Sequence, residues 1–264
     1  MTQNSTSRIS RRTLLTSGGA LAASGVVLAA CGGSHSTVTR LGTAPEIAPL
    51  EEVHVSDVVL LRTAMSMETM VSSIMLDSGV IGLADAATKP IVEAFAAAHK
   101  SYLAPLSSLI TARGGEPYDG TNTKLMSSYG QNIIDLVTEG KNKTDIIHLA
   151  VALETLTAAT YQYFLSMTNE AALRVEMMKL GVTSSRRAAV ASQLATPGTG
   201  SFALQLDETG LPKLDKDGNV VVATLPSAFG QLSSVQVTLG PVNPESGTRQ
   251  NVLLDTPSLN SMIY

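Results

Sequence analysis

The sequence predicts an all-α protein, a four-helix bundle with a short β-rich C-terminal extension. Two observations predict this fold class. Apolar residues recur at three- and four-residue steps over four long stretches, as in helices that bury one face. Beyond Pro197 the composition changes to short β-leaning runs separated by Gly, Pro, Asn and Asp. With 44% hydrophobic and 15% charged residues, the 264-residue chain is too apolar for a disordered protein.

The chain divides into four predicted parts. The division follows an apolar N-terminal run, a tether rich in Gly, Ser, Thr and Pro, the helical stretches and the β-leaning tail. The parts are a signal peptide (1–30), a lipidated tether (31–54), the four-helix bundle (55–196) and the C-terminal extension (197–264), which we expect to pack on the bundle.

The N-terminal residues have the order of a bacterial export signal. A basic segment with Arg11 and Arg12 precedes an uncharged run that ends in Leu-Ala-Ala before Cys31. The SRRTLL stretch resembles the twin-arginine export motif, although an arginine pair also occurs in signals for the general route. LAAC resembles a lipobox, which is cleaved before a cysteine that receives lipid. These features predict an exported protein, held on the outer face of the cell membrane through acylated Cys31.

The apolar periodicity predicts four long helices. The first begins at Ser56 or Asp57, the second at Lys89-Pro90, and the third is capped by Thr144 or Asp145. Between the second and third helices, a polar connection is expected to add one helical turn near residues 133–137. The predicted ranges are 56–77, 89–113, 144–165 and 169–194, and the predicted inner line of the fourth is Val175 or Met177, Leu180, Ser184, Arg187, Ala191 and Leu194.

The C-terminal extension contains four short β-leaning runs, at residues 202–206, 220–225, 235–239 and 252–254. The segment 215–219, DKDGN, has some of the residues of a calcium-binding loop. Its glycine stands one position too early and no glutamate closes the loop, so a hairpin turn is expected there.

Three polar residues interrupt the apolar stripes of the predicted helices. Glu68 lies among apolar residues of the first helix, His99 of the second and Glu154 of the third. Burial of an ionised carboxylate is costly unless the group is paired or binds a metal. Two inward carboxylates near a histidine are the residue types that a metal centre in a helical bundle uses.

The stretches around these residues resemble a known family. RTAMSMETM, FAAAHKSYLAPL and LAVALETLTAATYQY are similar to the corresponding helices of the ferritin-like superfamily, and the terminal DTPSLNSMIY is similar to the ending of exported bacterial members. The resemblance covers about residues 55–194. It implies a ferritin-like four-helix bundle and a position on each helix where the diiron ligands of that family stand.

The resemblance also implies that most of those ligands have been lost. Glu68 and Glu154 match the two single glutamates and His99 matches one histidine, but Ala96 stands where a Glu-x-x-His motif would begin. On the fourth helix the second such motif falls on a serine and an arginine, Ser184 and Arg187. Three of six ligands do not make a dinuclear centre, so we expect no working diiron site and no cofactor.

Arg187 offers another way to balance the buried carboxylates. A guanidinium that points inward can hydrogen-bond Glu68, Glu154 or both, and can supply the positive charge that a metal would supply. Arg186 takes this place if the helix phase is shifted by one residue. The alternative is a mononuclear iron or manganese site of Glu68, His99 and Glu154, with Tyr102 or water completing the shell.

The remaining residues exclude several function classes. A net charge of −4 with scattered basic residues gives no footprint for nucleic acid, and no nucleophile elbow, phosphate loop or dinucleotide fingerprint is present. His148 is expected at the rim of the bundle, and His35 and His54 in solvent. The sequence therefore predicts a non-enzymatic envelope protein with a structural or partner-binding role, as a homodimer or with another envelope protein. The alternative is an iron-binding protein or metal-dependent oxidoreductase.

Overall fold

The computed structural model describes residues 55–197, 207–211 and 234–264. The predicted signal peptide, Cys31, the tether, the DKDGN segment and the β-leaning runs at 202–206 and 220–225 lie outside the described residues. Contacts divide the chain into two units, Met1–Glu52 and Val53–Tyr264, and all the described residues belong to the second unit. This unit is mostly helical and includes a small two-stranded antiparallel sheet near the C-terminus.

Two of the first three helices follow the predicted pattern closely, and the short helix between them was not predicted. Helix α1 spans Asp57–Met75, and the Ser56 side chain caps it by accepting from the backbone N–H of Val59. A short helix, α2, spans Ser78–Ile81. Helix α3 spans Lys89–Thr111 and has proline in its first turn.

Helix α1 is apolar on nearly every side. Among the described helices, it is the one long and apolar enough to cross a membrane by length and composition, with a mean hydropathy of 1.2. Within the protein, 78% of this apolar window is buried. Burial on this scale is what a central helix of a packed core shows.

The connection between α3 and the next long helix is far more helical than the sequence predicts. It contains α4 (Thr123–Leu125), a π-helical turn (Met126–Gly130) and α5 (Gln131–Gly140). The helical turn predicted at residues 133–137 lies within α5, but the extent of helix was underestimated because the glycines of the segment indicate a loop. Instead, the buried side chains recur at helical spacing through the segment, and these are Leu125, Tyr129, Ile133, Leu136 and Val137.

Helix α6 spans Lys143–Met167 and helix α7 spans Ala171–Ala195. The predicted caps of α6 were two or three residues late, because Asn142 caps the helix and its side chain accepts from the N–H of Thr144. In the predicted inner line of α7, Met177 rather than its alternative Val175 is the inward residue, and the prediction is wrong at Leu194. Val175 is 53% exposed and Leu194 is 48% exposed, whereas Met177, Ser184 and Ala191 are buried.

The long helices pack mainly in two pairs. Helix α6 packs along α7, α1 packs along α3, and α1 also contacts α6. Gly181 allows the close approach of α7 to α6, since a Cβ atom at this position would lie 3.1 Å from the Cβ of Tyr161. These contacts bring the polar residues of α1, α3, α6 and α7 to the same region of the core.

The described part of the C-terminal extension contains an antiparallel strand pair. Strand β1 spans Ser234–Leu239 and β2 spans Gln250–Asp255, with Ser234 opposite Asp255. These strands include the β-leaning runs predicted at 235–239 and 252–254. Alternate residues of β1 are buried, and the strand lies against α5 and α6.

A buried ion pair joins the strand pair to α6. Asp145, in the first turn of α6, is fully buried and accepts a hydrogen bond of 2.9 Å from the N–H of Gly240. The guanidinium of Arg249 bonds the same carboxylate and donates to the carbonyl of Gly240 over 2.9 Å. The carboxylate of Asp145 therefore accepts hydrogen bonds both from the backbone N–H that follows β1 and from an arginine of the same hairpin.

The last residues lie against α1. A short 3-10 helix spans Leu259–Ser261, and the N–H of Ile263 donates to Thr63 Oγ1 over 2.8 Å. The buried Asn122 side chain donates to the carbonyl of Ser261 over 2.9 Å and to the Ser66 hydroxyl over 3.1 Å. The chain end is thus hydrogen-bonded to residues of the helical core.

Candidate functional site: a buried network of charged groups

The structure brings together Glu68, His99 and Glu154, the three polar residues that interrupt the predicted stripes. They come from α1, α3 and α6, and all three are fully buried. His99 lies between the two glutamates. Its Nδ1 bonds Glu68 Oε2, and its Nε2 lies 3.0 Å from Glu154 Oε1.

Arg187 completes this arrangement from α7. Its Nε donates to Glu154 Oε1 over 2.7 Å, and its side chain is 13% exposed. The guanidinium therefore bonds Glu154, one of the two glutamates predicted as its partners. Arg186, the residue expected inward under a shifted helix phase, is exposed.

The pKa of His99 shows how strongly the carboxylates act on it. Burial alone lowers the pKa of an imidazole, but the charges and hydrogen bonds of Glu68 and Glu154 outweigh burial here and raise the pKa to about 9. At neutral pH the ring therefore carries both protons, and each ring nitrogen donates to a carboxylate. The His99 ring and the Arg187 guanidinium thus place two cationic groups beside the two buried glutamates.

Two tyrosines extend the network. The hydroxyl of Tyr161, a fully buried residue of α6, donates to Glu68 Oε1 over 2.6 Å. Burial, followed by the charge of Glu68, raises the pKa of Tyr161 well above its usual value, so the phenol keeps its proton. The hydroxyl of Tyr102 accepts from Arg187 Nη1 over 3.1 Å and donates to Thr183 Oγ1 over 2.9 Å.

Arg187 is held by contacts on several sides. Its Nη2 donates to the Ser184 hydroxyl over 3.1 Å, and its Cζ lies 5.7 Å from the centroid of the Tyr102 ring. Burial lowers the pKa of Arg187, but the bond to Glu154 raises it more, so the guanidinium stays charged. Tyr102, which the alternative interpretation places in the shell of a metal ion, is hydrogen-bonded to Arg187 in the structure.

The donor set does not fit a resident metal ion in this arrangement. A histidine ligand needs a lone pair on a ring nitrogen, and both nitrogens of His99 are hydrogen-bonded to carboxylates. Among the described residues, no group of three or more His, Cys, Asp or Glu side chains is placed to hold a metal. Ala96 and Ser184, at two positions where the resemblance implies ligands, are buried beside the network and supply none.

One oxygen of the network lacks a partner. Glu154 Oε2 is buried and has no hydrogen-bond partner among the described residues, whereas Oε1 of the same carboxylate accepts from both His99 and Arg187. Such an uneven arrangement costs stability, because a buried oxygen loses its bonds to water without replacement.

Sequence reasoning identified four members of the network but missed the part of Tyr161. The signal was present in its spacing. Tyr161 follows Glu154 by seven residues, which places both on the same face of α6. His148 is half-buried on α6, and His35 and His54 lie outside the described residues.

Comparisons of the chain with protein-family models, with curated proteins and with solved structures found no match. The similarity to ferritin-like helices therefore rests on the quoted stretches of sequence alone.

Proposed function

We propose that this protein is a non-enzymatic lipoprotein of the cell envelope, with a ferritin-like four-helix bundle and a structural or partner-binding role. In this proposal the bundle has kept the inward polar residues of a metal centre and balances them with protein cations. The observation that carries it is the position of His99, between Glu68 and Glu154, with Arg187 bonded to Glu154.

The charge balance supports a core that is complete without metal. A metal ion bound by Glu68, His99 and Glu154 would have to displace one ring proton of His99 and approach the guanidinium of Arg187. Both changes are unfavourable, since the first removes a hydrogen bond to a buried carboxylate and the second brings like charges together. The residues of the network themselves therefore disfavour the binding of a metal cation.

The proposed location depends on the N-terminal residues. The order of Arg11-Arg12, the apolar run and Cys31 supports export and lipid attachment. Mass spectrometry of the protein from membranes tests this part, with a diacylated Cys31 at the mature N-terminus as the expected result. A longer chain that retains an unmodified Cys31 would contradict it.

A partner-binding role is supported by the outer face of α7. This face exposes about half of the surface of several apolar side chains, which soluble monomers seldom cluster. They are Val175, Met178, Val182 and Val190. We propose that a second copy of the chain covers this face. Sedimentation analysis should then show a dimer for the unchanged protein and a monomer for Val182→Glu, whereas an unchanged protein that sediments as a monomer would exclude the homodimer.

Elemental analysis of the purified protein tests the metal-free core. We expect iron and manganese far below one atom per chain, and no change in metal content for Glu68→Ala. Stoichiometric iron or manganese that disappears in Glu68→Ala would overturn the proposal. It would favour the second candidate, a metal-dependent protein that uses Glu68, His99 and Glu154.

A further inference from the structure

A separate cavity lies between the C-terminal strand pair and the helical turn that follows α4. Its volume is about 360 Å³, near the lower end of the range of about 300–1,000 Å³ for small-molecule sites. It shares no lining residue with the charged network. Its lining includes Ser128, Tyr129, Ser234, Asp255, Thr256 and Ser261.

We propose that this cavity binds a small, uncharged, polyhydroxylated molecule, of the size and chemistry of a monosaccharide. The proposal rests on the residues of the cavity and does not depend on the function proposed for the core. Three observations carry it: a buried hydroxyl without a partner, a lining of hydroxyl groups with one carboxylate, and a π-helical turn in the wall.

The unpartnered hydroxyl belongs to Thr256. The residue is 3% exposed, and its Oγ1 has no hydrogen-bond partner among the described residues. A buried hydroxyl in this state is unfavourable by itself and gains a bond when a ligand supplies a donor or acceptor. Thr256 is among the residues that line the cavity, but its Oγ1 is itself buried, so a ligand bonds this oxygen only after the side chain rotates toward the cavity.

The other lining groups select the chemistry of the ligand. Three of the lining hydroxyls, those of Ser128, Tyr129 and Ser261, already donate to protein carbonyls and can accept from a ligand. The exposed carboxylate of Asp255 likewise accepts. Among the described lining residues, no lysine, arginine or histidine is present to balance this carboxylate. The cavity therefore disfavours anions such as phosphate and favours a ligand rich in hydroxyl groups. Leu125 adds an apolar surface for the C–H groups of a sugar ring.

The wall itself departs from regular helix geometry. Ser128 and Tyr129 belong to the π-helical turn Met126–Gly130, which continues α4 and precedes α5. Such turns cost stability and occur frequently at functional sites. The Tyr129 hydroxyl donates to the carbonyl of Asp255 over 3.2 Å, and this bond joins the turn to the end of β2.

The test uses saturation-transfer NMR on the full protein with D-glucose, D-galactose and N-acetyl-D-glucosamine as separate probes, and inorganic phosphate by titration. We expect signals from at least one sugar and no saturable binding of phosphate. Thr256→Val and Asp255→Asn should each weaken that sugar's binding about two- to tenfold, the effect of one hydrogen bond. Thr157→Val is the matched control, because its buried hydroxyl bonds the Leu153 carbonyl over 2.9 Å and is not among the cavity's lining residues.

A second readout checks that the variants remain folded. Thr256→Val removes an unsatisfied hydroxyl at nearly constant volume, so we expect Tm without sugar to rise by about 2–4 °C. The proposal is overturned if none of the sugars binds, if phosphate binds in their place, or if a bound sugar is held equally well by Thr256→Val and Asp255→Asn.

Discussion

Arg187 Nε donates a hydrogen bond of 2.7 Å to Glu154 Oε1, the same oxygen that lies 3.0 Å from His99 Nε2. A single oxygen of Glu154 on α6 therefore accepts hydrogen bonds from His99 of α3 and from Arg187 of α7. Arg187 thus supplies positive charge to the buried carboxyl group of Glu154. The free energy of unfolding should therefore depend on the protonation of the His99 ring and on the presence of Arg187.

Replacement of Arg187 should destabilise the protein strongly. Arg187→Gln leaves the buried Glu154 with His99 alone, and removal of one partner from a buried ion pair costs about 3 kcal/mol. Urea denaturation measures the free energy of unfolding. Arg186→Gln is the control, because this neighbour is exposed and its loss should cost less than about 0.5 kcal/mol. Equal effects of the two substitutions would contradict the position of Arg187 in the network.

Stability should fall as pH rises through the pKa of His99. The folded pKa is about 9 against an ordinary value of 6.5, so protonation stabilises the folded state fully below pH 6.5 and this stabilisation is lost as pH approaches 9. The difference corresponds to about 3 kcal/mol. Urea denaturation at several pH values should show this decline in the unchanged protein and in His148→Gln, but not in His99→Gln. A decline of the same size in His99→Gln would assign it to another group.

Tyr161 should contribute through its hydroxyl rather than through its ring alone. Tyr161→Phe removes the bond of 2.6 Å to Glu68 Oε1 and leaves a buried carboxylate with one donor fewer, at a cost of about 2 kcal/mol. Tyr163→Phe, on the same helix but half-buried, should change stability by less than about 0.5 kcal/mol. Thermal denaturation of the two variants distinguishes them, and a Tm for Tyr161→Phe equal to that of Tyr163→Phe would remove Tyr161 from the network.

The C-terminal strand pair should loosen when its ion pair with α6 is broken. Arg249→Gln leaves Asp145 buried with one hydrogen bond from Gly240 N–H, and the cost should again be about 3 kcal/mol. Arg113→Gln breaks a more exposed pair with Glu170 and should cost less than about 1 kcal/mol. Hydrogen exchange localises the effect, with faster exchange expected in β1 and β2 only for Arg249→Gln. Unchanged exchange in both strands would show that other contacts hold the extension.

Much of the helical part and four members of the core network could be predicted from the sequence, whereas the part of Tyr161 was not. Glu68, His99 and Glu154 interrupt regular apolar stripes, and such interruptions are visible without a structure. Charge balance predicted that Arg187 bonds Glu68, Glu154 or both, and in the structure it bonds Glu154. The helix phase read from the sequence left either Arg186 or Arg187 as the inward arginine. The packing of α7 on α6, which Gly181 allows to be close, places Arg187 inward and leaves Arg186 exposed.

Other features depend on contacts between distant parts of the chain. The helical segment from Thr123 to Gly140 was missed because its glycines indicate a loop in isolation, whereas in the structure its apolar stripe is buried against the core. Asp145 and Arg249 are 104 residues apart, and no local pattern connects them. The cavity beside Thr256 likewise forms only where β2 meets the π-helical turn.

The most direct test of the charged network is ¹⁵N NMR of the His99 ring at neutral pH. The account predicts that both ring nitrogens carry protons at about pH 7.5, with chemical shifts of an imidazolium that persist until the pH approaches 9. Spectra of His99→Gln assign the signals by their disappearance. A neutral ring with one unprotonated nitrogen, or a nitrogen shifted by a bound metal, would contradict the account.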